Sequence, residues 1–475
     1  MKRIWSKMNL NKKSQRVLSC GAAACALLLV AGCKGMTQPG ERAARKQLAA
    51  ETETYRPEYN TPTLPFLTTN SPLSDFVTYA MFNHPEVAAN YYDWAASVER
   101  ITIERSRPDP KLTFETFIGG TITSIMPGLM TDIPGPGKLA ARARVATAES
   151  EGKYFTFKSS LLQTAYGVKK AYYQLHFLDE KIRVNQQTLQ LLSDLEQIAR
   201  AQNETGKGTL QDILKTQIEA DKLTAEIANL ADSRRLLMAQ FKAALGMTAQ
   251  DSNPPVPGEF VSTELDLTDD KLFDTALAQN LQLKGMEAEI RRAEASLQVA
   301  RKERVPDFSV GGEVDVKAAP VMWNPQLSMT LPVWRDKIAA EIAEAQENKR
   351  SAEARFTAGQ ISLAVDFAEK AYSYREANRN LTVLDSRLLP RARQSLDVTR
   401  AAYLSGRLEF LDVIDAERVL LDLQLERVQA QMQREISLAE LSLIISGATP
   451  TQTPMAARAA ASTAPQRKTS KPGGM

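Results

Sequence analysis

Cysteine is nearly absent from this chain of 475 residues: Cys20, Cys25 and Cys33 are the only three. With no thiol beyond position 33, the body of the protein can build neither a disulfide framework nor a thiolate metal site. Histidine is scarcer still. His84 and His176 are the whole complement, and neither stands in a ligand spacing such as HExxH, while GxSxG and phosphate-binding glycine loops are missing. These absences argue against an enzyme, and no cofactor or metal site is expected. Charge of one sign is lacking too, with 59 Lys and Arg against 56 Asp and Glu. Six of the basic residues precede position 33, which leaves the rest of the chain at −3 and without a nucleic-acid footprint. Nor does any apolar run beyond residue 33 approach the ~20 residues of a spanning helix, so a membrane crossing would have to use strands.

What is present begins at the N-terminus. Lys2, Arg3, Lys7, Lys12, Lys13 and Arg16 precede the apolar stretch VLSCGAAACALLLVAG, which makes residues 1–32 a secretory signal sequence. Its end, LLVAGC, resembles the bacterial lipoprotein box, and the resemblance implies that Cys33 is acylated and becomes the mature N-terminus. Lys34 follows the cysteine in place of the aspartate that resembles an inner-membrane retention signal, so the expected address is the outer membrane. The alternatives are an ordinary cleavage site or an uncleaved anchor. The apolar run is short for a span, which favours removal. Residues 33–72, with Pro57, Pro62, Pro65 and Pro72, read as an extended tether. The tail 448–475 has a disordered composition.

Between them the chain repeats itself. FVTYAMFNHPEVAANYYDWAASVERITIERSRPDPKLTFETFIGG parallels LFDTALAQNLQLKGMEAEIRRAEASLQVARKERVPDFSVGGEV, and IPGPGKLAARARVATAES parallels LPVWRDKIAAEIAEAQEN. The offset stays near 200, giving a first repeat over 73–265 and a second over 266–447. Each repeat reads helix, two strands, long helix, turn, helix. The first helices, 74–105 and 270–303, stop before Pro108 and Pro306.

Alternation then takes over. Phe308, Val310, Val314 and Val316 oppose Ser309, Glu313, Asp315 and Lys317, and Leu112, Phe114 and Ile118 oppose Lys111, Thr113 and Glu115, with Phe117 as an exception. QLSMTLPV alternates through Leu331 and Val333. The strands, about 111–133 and 307–333, come close to the ~9–11 residues that a tilted strand needs to cross a bilayer. A pair of soluble hairpins with one buried face is the bland alternative.

Residues 138–203 and 337–403 lack proline until Pro390 and predict helices of ~100 Å at ~1.5 Å per residue. The returning helices, 208–246 and 408–446, reach only ~60 Å. A first helix stacked end to end with a returning helix makes up the difference and produces a rod. Leu223, Leu230 and Leu237, with Ile227 and Phe241 between them, predict the packing seam. Four strands cannot close a barrel, and open edges are not tolerated in lipid, so several chains must pool their strands.

Two turns remain: ETGKGTLQDILK and YLSGRLEFLDVIDAERVLL. Gly206 and Gly406 are each followed six positions later by an aspartate, Asp212 and Asp412. A lipoprotein start, a duplicated helix-strand-strand-helix-helix unit and glycine turns between long helices resemble the TolC-like outer-membrane efflux channels over roughly residues 70–447. IPGPGKL, residues 133–139, is similar to the strand-to-helix segment of their heavy-metal efflux branch. The resemblance implies a mainly α fold with β, in which a homotrimer forms a 12-stranded outer-membrane barrel continued by a periplasmic helical barrel. It also implies a periplasmic adaptor and an inner-membrane efflux transporter as partners. The hairpin tips, about 203–212 and 403–415, would form the periplasmic mouth. Asp412 and Asp415 match the family's constriction, and Asp212 and Tyr403 its latch. The latch arginine of the family aligns with Leu408 while Arg407 lies one residue earlier, so the same ion pair does not carry over. First-turn carboxylates that oppose a helix dipole are the plainer reading of all three aspartates.

The rivals are a periplasmic adaptor lipoprotein, which would carry one hairpin between β domains, and a lipid-anchored coiled-coil scaffold. Cargo is not encoded visibly: metal ions and organic compounds are both compatible.

Overall fold

The computed structural model describes residues 37–56, 64–119, 121–258, 260, 262, 271–318 and 320–445. Cys33, the leader and the tail lie outside them. The chain runs through α1 (Pro39–Tyr55), α2 (Leu73–Asn83), α3 (Pro85–Arg105), β1 (Lys111–Gly119), β2 (Thr121–Ile133), α4 (Lys138–Glu204) and α5 (Leu210–Ala244). The second repeat supplies α6 (Lys271–Gln279), α7 (Leu281–Lys302), β3 (Phe308–Asp315), β4 (Met322–Met329), α8 (Arg335–Val383), α9 (Leu389–Leu404) and α10 (Phe410–Ile444). Among the described residues no helix is long and apolar enough to cross a membrane.

α4, 67 residues long, is the spine: at ~1.5 Å per residue it extends ~100 Å. α3 packs along its first part, α5 and α10 along its second, and α7 beside it. The joint between stacked helices is built alike in both repeats. Pro85, at the first position of α3, has no N–H to leave unsatisfied and holds His84 extended at ψ 124°, which breaks the expected 74–105 helix in two. Asn280 breaks the 270–303 helix at the matching place, its side chain accepting from the amides of Gln282 and Leu283 at 3.0 and 3.1 Å. At each break an asparagine holds the end of a returning helix. Asn83 Nδ2 donates to the Leu245 carbonyl at 3.1 Å, and Asn280 Nδ2 to the Ile444 carbonyl at 3.1 Å. The rod is thereby continuous, with Phe76 of α2 against Phe241 of α5 at the joint. The predicted seam is on the inner side: Leu223, Leu230 and Phe241 are buried.

α8 continues into α9 through a single π turn, Leu384–Leu388, where the Leu389 amide reaches back to the Leu384 carbonyl. Pro390 has no N–H for the carbonyl of Ser386, and the wider turn absorbs that loss without ending the helix.

The extended tether is corrected in part. Its stretch Pro39–Tyr55 is a helix, α1, docked on α3 and α4. The buried Glu41 accepts Thr102 Oγ1 at 2.8 Å and pairs with Arg105 at 2.6 Å. Arg45 forks onto Glu99 at 2.8 and 2.9 Å, and Tyr55 packs into an aromatic group with Tyr91 and Phe157. The four prolines that suggested an extended chain all follow this helix, and Pro39 sits in its first turn, where proline is tolerated.

The strands form one antiparallel sheet in the order β1-β2-β3-β4, so the hairpins of the two repeats join through β2 and β3. Registers Leu112↔Leu129, Phe114↔Pro127, Val310↔Leu327 and Val314↔Trp323 collect the apolar side chains on one face. Thr113, Ser124, Ser309, Glu313 and Asp315 share the other, tied by Thr113 to Glu313 (3.1 Å) and Ser124 to Asp315 (2.6 Å). Phe117, the exception to alternation, stands at a bulge. β4 ends at Met329, short of the expected 333. Pro332 has no N–H for a ladder, and Leu331, Val333 and Trp334 are exposed beyond the strand.

This sheet is inside out for a soluble protein. Leu112, Leu327 and Phe114 of the apolar face are 83%, 76% and 68% exposed, whereas Glu313 of the polar face is 5% exposed. A soluble hairpin would bury the first set, so the bland alternative for these strands fails.

Candidate functional site at the hairpin tips

Both tips end their long helix in the same way. Gly206 has φ +73° and Gly406 φ +75°, a region closed to most side chains. The Lys207 amide donates to the Gln202 carbonyl at 2.8 Å and that of Arg407 to the Ala402 carbonyl at 3.0 Å, so the last turn of each helix is closed by the residue after the glycine. Lys207 and Arg407 are exposed at the two apices, and Leu210, Leu214, Leu404, Leu408 and Leu411 are exposed around them.

The aspartates divide by role. Asp212 Oδ2 accepts the Thr209 amide at 3.0 Å while Thr209 Oγ1 accepts the Asp212 amide at 3.3 Å, a reciprocal cap. Asp412 Oδ2 likewise accepts the Glu409 amide at 3.1 Å. Both carboxylates thus start their helices, as the plainer reading anticipated. Asp415, one turn on, makes no such cap. It is exposed and stands 3.4 Å from Arg418.

Tyr403 is buried against Phe410, ring centroids 5.2 Å apart. Its hydroxyl has no hydrogen-bond partner among the described residues. Burial, and secondarily the charge of Asp212, raise its pKa, which places the tyrosine of one tip within the field of the aspartate of the other. Asp212 and Tyr403 share no hydrogen bond among the described residues.

At the opposite end of α4, IPGPGKL ties the repeats together. A Cβ on Gly135 would come within 2.5 Å of the Pro306 carbonyl oxygen. That close approach lets the Gly135 amide donate to Asp307 Oδ1 at 2.7 Å. Lys138 Nζ, almost fully buried, reaches Asp307 at 2.9 Å and Glu303 at 3.2 Å.

The family model described as outer membrane efflux protein matches residues 80–247 and 272–447, one match for each repeat. The chain belongs to the outer membrane efflux protein family. A relative of this efflux protein is the cobalt-zinc-cadmium resistance protein CzcC of Cupriavidus metallidurans, 22% identical over 297 residues, covering 60% of this chain and 68% of that protein. Among solved structures, that of CusC superposes with a TM-score of 0.70 at 15% identity, covering 82% of this chain and 99% of CusC. The open state of the Neisseria gonorrhoeae MtrE outer membrane channel gives 0.68 at 17% identity, over 84% of this chain and 99% of MtrE. These likenesses extend to the fold. The family consists of efflux channels of the outer membrane, so the efflux protein is not an enzyme.

Sequence reasoning missed one element of the efflux protein's tips. Arg418 Nη2 donates to Glu219 at 2.7 Å, clamping α10 to α5 across 199 residues, and Glu219 also takes Lys222 at 3.0 Å. Burial works against the Glu219 charge, but the bonds from Arg418 and Lys222 outweigh it and lower the pKa. The duplication makes positions 219 and 418 near-equivalents but says nothing of their being neighbours, so no signal in the sequence marked this pair.

Proposed function

We propose that this efflux protein is the outer-membrane duct of a tripartite efflux system, a homotrimer that passively exports what an inner-membrane transporter delivers through a periplasmic adaptor. The observation that carries the reading is the four-stranded sheet with its apolar face exposed, its polar face more buried and both edges, β1 and β4, unpaired among the described residues. Lipid accepts such a face but not the edges, and three copies supply 12 strands to close a barrel. Ile361, Val365 and Val398 of α8 and α9 are exposed apolar positions that a neighbouring copy would cover.

In this reading Cys33 carries the lipid that anchors the chain to the outer membrane, and α1 fixes the start of the mature protein against α3 and α4. The tips form the periplasmic mouth. Gly206 and Gly406 shape the surface met by the adaptor, with Lys207, Arg407 and the exposed leucines as its contacts. Asp412 and Asp415 line the constriction, where six carboxylates around one axis would attract cations. Asp212 and Tyr403 act as a latch through charge and packing, and the clamp from Arg418 to Glu219 does the work that the family arginine would do at Leu408. The name of CzcC favours metal ions as cargo over organic compounds.

Purified mature protein in a planar bilayer tests the duct. The expected result is a heat-modifiable trimer that requires detergent and conducts ions. A monomer that stays soluble in plain buffer and never conducts would overturn the reading. Mass spectrometry of the N-terminal peptide tests Cys33, and deletion of the gene followed by challenge with cobalt, zinc and cadmium salts or with organic toxicants tests the cargo.

A further inference from the structure

A cavity of about 190 Å³ opens between α4, α5 and α10, about two turns into α10. Four aliphatic side chains wall it, Leu223 and Ile414 among them. Its charged lining is Glu219, Lys222 and Glu226 from α5 with Glu417 and Arg418 from α10, while α4 contributes only Thr188 and Leu192. Glu219 is committed to Lys222 and Arg418. Glu226 lies 3.6 Å from Lys181. Glu417 is different: it is 3% exposed, and its Oε2 has no partner among the described residues. A buried carboxylate without a partner is costly unless something compensates it.

We propose that this cavity binds a small organic monocation, an amine with an apolar body near the size of benzene, with Glu417 as its charge partner. Volume sets the size, since an apolar cavity of about 150 Å³ accepts benzene. Charge sets the valence. Glu219 is matched by Lys222 and Arg418 and Glu226 by Lys181, so Glu417 is the one lining carboxylate without a cation among the described residues. Its single charge when ionised is what a monocation neutralises and a divalent ion overshoots. Chemistry agrees, because among the described residues no group of three His, Cys, Asp or Glu is placed to hold a metal ion, and aliphatic walls suit a hydrocarbon body. Burial pushes Glu417 up to about 7, so the cavity stores a neutral acid when empty at mild acidity and exchanges that proton for the cation. Binding therefore strengthens as pH rises through this range. The site lies within the wall of the hairpin, apart from the proposed pore carboxylates Asp412 and Asp415, and its existence does not depend on the chain conducting.

The test uses the full mature protein in detergent with 4-fluorobenzylamine as the probe, read by its fluorine NMR line. The expected result is saturable binding that tightens about tenfold from pH 6 to pH 8, as a carboxyl with a pKa near 7 ionises while the amine stays protonated. Glu417→Gln should weaken binding at least tenfold and abolish the pH dependence, and 4-fluorobenzyl alcohol should not bind. Absence of saturation, equal binding by Glu417→Gln, or equal binding of the alcohol would each overturn the proposal. Should Glu417→Gln fail to assemble, the wild-type pH profile and the alcohol control decide alone, and a flat profile refutes it.

Discussion

Lys138 and Asp307, 169 residues apart in sequence, meet at 2.9 Å where the strands give way to the long helices. One belongs to the start of α4 and the other to the start of β3, so this bond fastens the first repeat to the second. Lys138 is buried, whereas Asp307 and Glu303 keep contact with water. Removing the lysine strands two carboxylates that retain solvent, so Lys138→Met should cost about 1–3 kcal/mol, below the ~3–5 kcal/mol of a fully buried pair. The expected readout is an earlier heat-dissociation of the proposed trimer on gels. A double-mutant cycle with Asp307→Asn that returns no coupling would contradict the assignment.

The tips respond to backbone chemistry rather than to crowding. Nothing lies within 4 Å of a Cβ placed on Gly206 or Gly406, so only the positive φ resists substitution. Gly406→Val should strain the turn by about 1–2 kcal/mol and reduce adaptor capture, whereas Gly406→Asn, which tolerates that region, should keep most of it. Equal capture by both variants would show that the turn conformation does not matter for docking.

Asp412 and Asp415 should separate in their side effects. Asp412→Ala removes a helix cap as well as a charge and should lower stability by about 1 kcal/mol, while Asp415→Ala, which caps nothing, should leave stability nearly unchanged. The double variant should raise single-channel conductance and weaken block by multivalent cations. Conductance and block both at wild-type levels would remove these residues from the pore.

The clamp between α10 and α5 predicts a charge-swap rescue. Arg418→Glu alone brings a new carboxylate against Glu219 and should loosen the tips, seen as higher conductance. Adding Glu219→Arg should restore the closed level. If the swap behaves like the single variant, the pair is not the element that holds the two returning helices together.

Acid should release α1. Burial tends to raise the Glu41 pKa, but bonds from Thr102, Arg105 and Arg45 outweigh it and hold it below its ordinary 4.5. A depressed carboxyl contributes stability that is fully present above about 4.5 and fades as pH falls through the lower folded value. Hydrogen exchange over Pro39–Tyr55 should therefore accelerate below about pH 4.5, and Glu41→Ala should show the fast exchange at neutral pH. Unchanged protection in that variant would mean that aromatic packing at Tyr55 alone seats the helix.

The duplication, the strand faces, the long helices and the glycine tips were determined by the sequence itself, because each is a local property repeated along the chain. Alternation at Phe308 to Val316, helix-forming composition in 138–203, and a glycine six residues before an aspartate need no knowledge of distant neighbours. Tertiary structure decided the rest. Whether α1 is extended or helical depended on Glu41 and Tyr55 finding partners on α3 and α4, which no window of sequence contains. The helix breaks at His84 and Asn280 have local causes, Pro85 and the Asn280 cap, but that the ends of the returning helices dock on them is decided by packing, and the bond of Arg418 to Glu219 exists only because two repeats fold side by side. The buried Glu417 looks like any surface glutamate of an amphipathic helix until α4 and α5 close around it. Periodicity reports which face of an element is apolar; only the packed molecule determines what that face meets and which charges are left without water.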